Sequence, residues 1–316
     1  MRVTKTKQKQ FLEILDKKKI HPVYQPIVSL SDGTIYGYEA LARIDLIDCA
    51  FTTEEMFRIA EKLHCVWELE SLCRKQSIKN AKEKPKDAKL FVNVDPNVIH
   101  DGKFRSGVTA GYLKKYGINP DDIVFEITER SSIENPKTFK NSIEHYTSQN
   151  YKIAIDDFGS EFAGPNRLCL LKPDIIKIDM EIIRDIDKDI YKRSFVKSLS
   201  IFGKNTGTKI LAEGIETSEE LNALIDLGVD YGQGFYLGRP ISVFAQMNYD
   251  ISEEIRQRNN TPREISGALV LQYIKQHGDN AVLCVSDEDG KVIEKLKASE
   301  IKELTGITEE MLHERF

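Results

Sequence analysis

The sequence predicts an α/β fold, a modified TIM-type (β/α)8 barrel with an antiparallel first strand, followed by a small α+β C-terminal appendage. Eight short apolar, β-branched runs alternate for the most part with longer stretches of helical character, which is the pattern of a parallel sheet. Only residues 31–33 separate the first two runs, which suits a hairpin and leaves no room for a crossover helix. Eight strands are enough to close a barrel.

The candidate strands share an apolar character that suits burial on both faces, and they lie at 23–30, 34–41, 89–94, 123–128, 152–157, 174–179, 209–215 and 231–237. Helices are predicted at 54–80, 135–149, 190–204 and 218–227. The last of these follows Thr217 and begins with Ser218 and two glutamates, which is typical of a helix N-terminus.

The pattern also predicts how the chain is divided. We expect an N-terminal helix within residues 1–18, the barrel at 19–249, a linker or helix at 250–265 and a small module at 266–316. Within the module, helices near 268–276 and 298–304 flank a hairpin candidate that turns at Asp289–Gly290. About 50 residues are a thin basis for an independent core, so this module could be regulatory or incomplete.

Composition excludes several classes of protein. The net charge of −5 argues against binding of a nucleic acid polymer, which depends on clustered positive charge. No apolar run approaches the roughly 20 residues of a membrane segment, and no apolar stretch follows the basic N-terminus. We therefore expect a cytoplasmic protein. The five cysteines lack CxxC spacing, which indicates reduced residues and not a disulfide framework or zinc site.

Polar side chains fall late in seven consecutive candidate strands. In a barrel these strand ends converge on one face, where the active sites of barrel enzymes are found. Burial of so many ionisable groups is costly unless they pair or bind a metal. The seven residues are Glu39, Asn93, Glu126, Asp156, Lys177, Glu213 and Gln233.

The residue types in this set indicate a metal-dependent site. Carboxylate and amide oxygens without His or Cys favour Mg²⁺ or Mn²⁺ over zinc. Asp157, beside Asp156, offers a further carboxylate that could serve a second ion. Lys177 could orient water or offset phosphate charge, and Glu213 is the candidate general base. The guanidinium of Arg43 suits phosphate oxygens.

Each of these residues also has an ordinary explanation. A single polar residue at a strand end is more often a helix cap, a loop hydrogen bond or a surface charge. Lys177 with Asp179, or Glu126 with Arg130, could be ordinary ion pairs, and Arg43 could be a solvated loop residue. Chance seldom places acid, amide or lysine on seven consecutive strands, so the complete set favours a site.

Eight motifs occur in an order that resembles the EAL phosphodiesterase family, and they cover roughly residues 15–248. They read YQPIVSL, YEALAR (38–43), FVNVDP (91–96), FEITE (125–129), IAIDDFGS (153–160), PDIIKIDM (173–180), ILAEGIET (210–217) and GQGFYLGRP (232–240). The resemblance implies metal-dependent hydrolysis of cyclic di-GMP to linear pGpG, with one or two Mg²⁺ or Mn²⁺ ions. It also implies a homodimer.

The resemblance assigns roles to residues at or just after the strand ends. It implies metal ligands at Glu39, Asn93, Glu126, Asp156 and Asp157, catalytic roles for Lys177 and Glu213, contacts with cyclic di-GMP from Gln25, Arg43 and Gln233, and an anchor for the loop after strand five at Glu216.

The loop after strand five departs from the family pattern. It reads DDFGSEFAGPNRL, so that Glu161 stands where glycine is usual and Pro165 where an apolar residue is usual. This change could weaken the second metal site and slow hydrolysis. Three functions therefore stay open: an enzyme, a cyclic di-GMP receptor that binds through Gln25 and Arg43 but scarcely cuts, and a metal phosphoesterase for another diester.

Overall fold

In the computed structural model, residues 3–128, 136–159, 165–260, 274, 278, 282–286 and 292–305 are described. Eight strands close a barrel in sequential order, which confirms the predicted fold class. They are β1 (Ile20–Ser29), β2 (Ile35–Ile44), β3 (Lys89–Asn93), β4 (Ile123–Thr128), β5 (Lys152–Phe158), β6 (Ile175–Ile178), β7 (Lys209–Ala212) and β8 (Tyr231–Gly232).

The first strand runs against its two neighbours, as the short connection at 31–33 predicts. β1 pairs antiparallel with β2 and with β8, whereas the pairs from β2 to β8 are parallel. Gly33 turns the hairpin with a positive φ of 71°, in the left-handed region that glycine adopts without strain. The register of the hairpin places Gln25 directly opposite Glu39.

Helices surround the barrel. They are α1 (Lys5–Lys17), α2 (Thr53–Lys62), α3 (Val66–Asn80), α4 (Val108–Tyr116), α5 (Pro136–Thr147), α6 (Pro165–Leu171), α7 (Met180–Ile183), α8 (Ile190–Thr206), α9 (Ser218–Leu227) and α10 (Tyr249–Asn260). Thr52 and Thr217 begin α2 and α9 with capping boxes, in which threonine and the glutamate three residues later satisfy each other's backbone N–H groups.

The interior of the barrel is filled at one level by six apolar side chains, one from each of six strands: Ile27, Phe91, Val124, Ala154, Ile175 and Leu211. Tyr36 and Tyr231 stack against this layer with ring centroids 3.9 Å apart. This apolar layer thus fills the barrel on the side where the parallel strands begin. Polar groups therefore gather at the carboxyl ends of these strands.

The contacts divide the chain into two units, Met1–Asn260 and Thr261–Phe316. In the first unit, α10 is held by a hydrogen bond from Ser252 to the carbonyl of Gly33 and by an ion pair between Arg258 and Asp226. No helix among the described residues is long and apolar enough to cross a membrane.

The second unit contains β9 (Val282–Ser286), which pairs antiparallel with β10 (Val292–Lys297), and α11 (Ala298–Thr305). The turn residues Asp289 and Gly290 lie outside the described residues, as does all of the predicted helix at 268–276 except residue 274.

Candidate active site

The site arises from the alternation of side chains along each strand. Successive side chains of a strand point to opposite faces, so the residue two positions beyond an interior apolar residue also faces the interior. Asn93 follows Phe91 in this way, and Glu126 follows Val124. Four further residues, Asp156, Lys177, Glu213 and Gln233, also come two positions after an interior residue of the same strand. Because β1 runs in the opposite direction, Gln25 reaches the same level of the barrel two positions before Ile27.

Lys177 lies at the centre of the cluster with its side chain 1% exposed. Its ammonium nitrogen is 2.6 Å from Oε1 of Glu126 and 2.9 Å from Oδ1 of Asp156. It also lies 2.8 Å from Oε1 of Glu213 and 3.8 Å from Oε2 of Glu39. One buried cation therefore faces four carboxylates from four different strands or strand ends.

Three amide side chains connect this cluster to the wall of the barrel. Asn93 donates from Nδ2 to Glu39 Oε1 at 2.9 Å and to Glu126 Oε2 at 3.1 Å. Gln233 donates from Nε2 to Glu39 Oε2 at 2.8 Å and to Gln25 Oε1 at 3.2 Å. Gln25 in turn donates to the carbonyl of Gly238. These bonds fix the orientation of both oxygens of Glu39.

Burial and crowding perturb the carboxyl groups. Burial raises the pKa of Glu126 well above its ordinary value, and the neighbouring carboxylates add to this effect. Burial also raises the pKa of Glu213 to about 8, although Lys177 opposes the change. For Glu39, Lys177 and the hydrogen bonds from the two amides outweigh burial and lower the pKa. Burial therefore disfavours the ionised forms of Glu126 and Glu213 in spite of the neighbouring ammonium.

The donor set fits a hard divalent cation. Asp156, Asp157 and Glu213 each offer a carboxylate oxygen, and these atoms lie within 4.8 Å of one another. Oε1 of Glu126 and Oδ1 of Asp156 are buried beside the ammonium of Lys177 without accepting a well-directed hydrogen bond. Asp157 has a positive φ of 55°, a conformation that brings two adjacent aspartates to one site at some backbone strain. All-oxygen ligands of this kind suit Mg²⁺ or Mn²⁺.

Two cavities meet at Glu39 and Leu41, which line both. The first has a volume of about 280 Å³ and is lined by Gln25, Glu213 and Gln233 among others. The second has a volume of about 520 Å³ and is lined by Asn93 and Arg43. Nη1 of Arg43 donates to the carbonyl of Ala42, and no described carboxylate forms an ion pair with this guanidinium. The site therefore offers space on both sides of the carboxylate cluster.

Glu216 lines the first cavity together with Glu39 and Glu213 but is not one of the four carboxylates around Lys177. Its carboxylate is exposed and forms an ion pair with Arg184 at 2.8 Å. The loop that Glu216 is predicted to anchor includes residues 160–164, so Glu161 is outside the described residues, and the side chain of Pro165 is not described either. The anchoring role of Glu216 and the effect of the altered loop stay predictions.

Asp179 and Phe235 line the first cavity and were not among the predicted site residues. Asp179 lines the cavity and caps α7, where Oδ1 accepts the N–H of Glu181. It comes two residues after Lys177, so strand alternation could have found it. Phe235 also lines the cavity, and the Arg239 guanidinium lies 4.3 Å from its ring centroid. An aromatic residue in a glycine-rich stretch carries no comparable signal.

Known proteins share both the sequence pattern and the barrel. Cyclic di-GMP phosphodiesterase PdeF of Escherichia coli is 30% identical over 160 residues, which are 51% of this chain and 21% of PdeF. The chain spans between about a fifth and somewhat more than half of the length of the curated relatives compared.

Solved structures of EAL proteins also resemble this chain in sequence and in fold. BlrP1 of Klebsiella pneumoniae, in complex with calcium and cyclic di-GMP, is 27% identical and superposes with a TM-score of 0.67 over 72% of this chain and 58% of that protein. A standalone EAL protein of Vibrio cholerae in its cyclic di-GMP-bound form is 29% identical, with a TM-score of 0.64 over 74% of this chain and 97% of that one.

The family profile described as the EAL domain matches residues 8–240, nearly the whole barrel and the helix before it. Together with the closed barrel, this match shows that the chain belongs to the EAL domain family.

Proposed function

We propose that the protein hydrolyses cyclic di-GMP to linear pGpG with the help of Mg²⁺ or Mn²⁺. The observation that carries this proposal is the buried cluster around Lys177, in which four carboxylates converge on one ammonium at the open end of the barrel. Such a cluster is costly unless a further cation completes it. Relatives solved with calcium or manganese and cyclic di-GMP support the same assignment.

The two cavities suit the two halves of a cyclic dinucleotide. Glu39 lies between them, so a phosphodiester placed above Glu39 would extend one nucleotide into each cavity. Gln25 and Gln233 present amide groups to the smaller cavity, and amides can bond the edge of a base. Arg43 in the larger cavity offers a guanidinium fork that suits phosphate oxygens.

The metal ligands in this proposal are Glu39, Asn93, Glu126, Asp156 and Asp157, with Glu213 as a further contact. When bound there, Mg²⁺ or Mn²⁺ lowers the pKa of water and stabilises charge on phosphate oxygens, and the number of ions, one or two, depends on Asp157. Support for a metal here comes from Asp156, Asp157 and Glu213, whose carboxylate oxygens lie within 4.8 Å of one another.

The remaining residues handle the water and its proton. Lys177 is buried among three carboxylates, and if a metal took up their oxygens, an N–H group of Lys177 would be free to orient a water for in-line attack. The raised pKa of Glu213 suits a group that accepts a proton near neutral pH and releases it again. Asn93 and Gln233 fix the oxygens of Glu39 and so preserve the geometry of the site.

A second candidate function is a cyclic di-GMP receptor that binds without appreciable cleavage. It rests on the sequence of the loop after β5, where Glu161 and Pro165 replace the usual residues. A receptor of this kind would keep Gln25 and Arg43 as binding residues but lose the second metal position at Asp157.

One experiment separates these functions. The full chain is incubated with cyclic di-GMP and either Mg²⁺, Mn²⁺ or excess chelator, and pGpG is followed by chromatography. We expect metal-dependent product that disappears in Glu39→Ala and persists in Glu13→Ala, whose carboxylate lies on α1 and pairs with Lys17 and Lys19. Tight binding without product would instead identify a receptor, and Glu161→Gly would then be the variant to assay.

We further propose that the protein forms a homodimer through α8. One face of this helix exposes Tyr191, Phe195 and Ile201, and on that face only serines lie between them. This apolar stripe is one that a second copy could cover.

We also propose that residues 266–316 form a separate module after the barrel at 19–249, joined by the linker or helix at 250–265. A cytoplasmic location is proposed from the sequence alone.

A further inference from the structure

Helix α3 buries a charged pair on the wall of the larger cavity, and neither member is among the predicted site residues. Glu70 is 5% exposed and Arg74 is 3% exposed, and they stand one turn apart on the same helix. A buried ion pair of this kind is often no more stabilising than apolar residues of the same volume, because both charges lose their hydration. Its presence therefore calls for a role other than packing.

Each member of the pair has specific partners. Oε2 of Glu70 accepts from Nη2 of Arg74 at 3.0 Å, and Oε1 of Glu70 accepts the backbone N–H of Asp95. Nη1 of Arg74 donates to the hydroxyl of Thr109 at 3.1 Å. The guanidinium carbon of Arg74 lies 5.4 Å from the centroid of the Phe125 ring. The pair thus bonds the segment after β3 and packs against β4.

These partners adjoin two candidate metal ligands. Asp95 comes two residues after Asn93, the last residue of β3, and Phe125 directly precedes Glu126 on β4. Between them, the N–H of Val94 donates to the carbonyl of Glu126 at 2.9 Å. Glu70 therefore bonds the backbone on one side of this link, and Arg74 packs against the Phe125 ring on the other side.

Asn93 is more exposed than the other candidate metal ligands. Its residue is exposed at the open end of the barrel, whereas Glu126 and Lys177 are enclosed by the strands. Its Nδ2 donates to both Glu39 and Glu126, and a half-turn of the amide group would bring its oxygen to the same place, as metal binding requires. A small rotation of the backbone after β3 would break both bonds.

We propose that Glu70 and Arg74 are positioning residues, which fix the backbone after β3 and thereby hold the Asn93 amide beside Glu39 and Glu126, where its oxygen could bind a metal. The inference rests on the proposed function, since it takes Asn93 and Glu126 to be metal ligands. Groups that orient metal ligands from behind commonly change metal affinity by about 10- to 100-fold when they are replaced.

The test measures binding of Mn²⁺ alone to the full chain by titration calorimetry, together with the melting temperature in chelator. Glu70→Leu removes the acceptor for the Asp95 N–H, and we expect Mn²⁺ affinity to fall about tenfold or more. Glu70→Gln keeps an oxygen for that N–H and should retain affinity within about threefold. Glu68→Leu, two residues away on α3 and paired with Lys103, is the matched control and should bind Mn²⁺ normally.

A merely structural pair would lower the melting temperature of Glu70→Leu and leave Mn²⁺ affinity unchanged, and that result would overturn the proposal. If Glu70→Leu does not fold, Arg74→Lys decides in its place. This variant keeps the charge but loses the fork that joins Glu70 to Thr109, so unchanged Mn²⁺ affinity would again overturn the proposal. Absence of Mn²⁺ binding by the wild-type protein would reject the proposed function itself, and this inference with it.

Discussion

The ammonium nitrogen of Lys177 lies 2.6 Å from Oε1 of Glu126, and neither side chain is more than 1% exposed. Burial alone would lower the pKa of Lys177, but the surrounding carboxylates outweigh it and raise the pKa well above its ordinary value. The charged form of Lys177 is therefore favoured at neutral pH. In the proposed reaction, the proton that moves then belongs to another group.

Replacement of Lys177 by methionine should destabilise the metal-free protein by about 3 kcal/mol, because four carboxylates then share a buried site without a cation. Added Mn²⁺ should restore part of the loss. Denaturant unfolding with and without chelator measures both effects. Lys209→Met is the control, since it removes a half-exposed partner of Asp230 and should cost about 1 kcal/mol or less. Equal losses in the two variants would contradict the central role of Lys177.

Much of this site was predictable because one physical rule governs it. Side chains alternate along a strand, and the carboxyl ends of barrel strands meet at one face, so Glu126 and Lys177 could be placed together from spacing alone. Gln25 is different, because β1 runs in the opposite direction and its place opposite Glu39 follows from the hairpin register. Only the resemblance to the EAL family indicated a role for Gln25.

Other features were not predictable from the pattern. The helix predicted at 54–80 is interrupted at His64, whose φ of 53° lies in the left-handed region, and no apolar periodicity marks that break. The strand predicted at 231–237 ends at Gly232, and Gly234 packs so closely on the backbone of Ile215 that no side chain would fit. Glu70 and Arg74 have the spacing of an ordinary surface pair, and only tertiary packing buries them.

Arg43 should matter for binding of cyclic di-GMP and little for stability. Its guanidinium donates a hydrogen bond to the carbonyl of Ala42, so a phosphate that binds Arg43 would have to displace only this neutral acceptor. We expect Arg43→Ala to weaken binding of cyclic di-GMP by about 10- to 100-fold, which corresponds to the loss of one or two charge-assisted hydrogen bonds. Calorimetry in the presence of Ca²⁺ measures this. Arg58→Ala, on α2, is the control of equal charge, and equal weakening by both would indicate a general charge effect.

Asp157 should determine the number of bound ions. Asparagine tolerates the left-handed conformation of this position almost as well as aspartate, so Asp157→Asn removes the charge and preserves the backbone. We expect the stoichiometry of Mn²⁺ per chain, measured by calorimetry, to fall by one or the weaker phase of binding to disappear. Asp179→Asn lines the same cavity, keeps a good N-cap for α7 and should bind Mn²⁺ as the wild type does. Unchanged binding in both variants would remove Asp157 from the metal site.

The apolar stripe on α8 predicts how the protein associates. Tyr191→Lys places a charge at a position that is 86% exposed, where it costs little in the monomer but is buried in the proposed dimer. Light scattering during size-exclusion chromatography should therefore show a shift from dimer to monomer. Ile47→Lys alters an even more exposed apolar residue elsewhere and should leave the dimer intact. A monomeric wild-type protein would reject this interface.

The pH dependence of stability should report on Glu70. Burial raises the pKa of Glu70 from the ordinary 4.5 to about 7, although Arg74 and the N–H of Asp95 oppose the change. Between these two values the folded protein holds a proton that the unfolded chain releases. The protonated Glu70 therefore contributes its full stabilisation of the folded state below pH 4.5, and this stabilisation is lost as the pH rises through about 7.

Glu70→Gln substitutes a neutral side chain of the same shape that cannot titrate. We expect the wild type to lose stability relative to Glu70→Gln as the pH rises from 5 to 8, by no more than about 3 kcal/mol. Denaturant unfolding of both proteins in chelator across this range gives the difference, and other titrating groups cancel because both proteins share them. A constant difference would mean that Glu70 keeps one ionisation state throughout, and that Arg74 and the Asp95 N–H outweigh its burial.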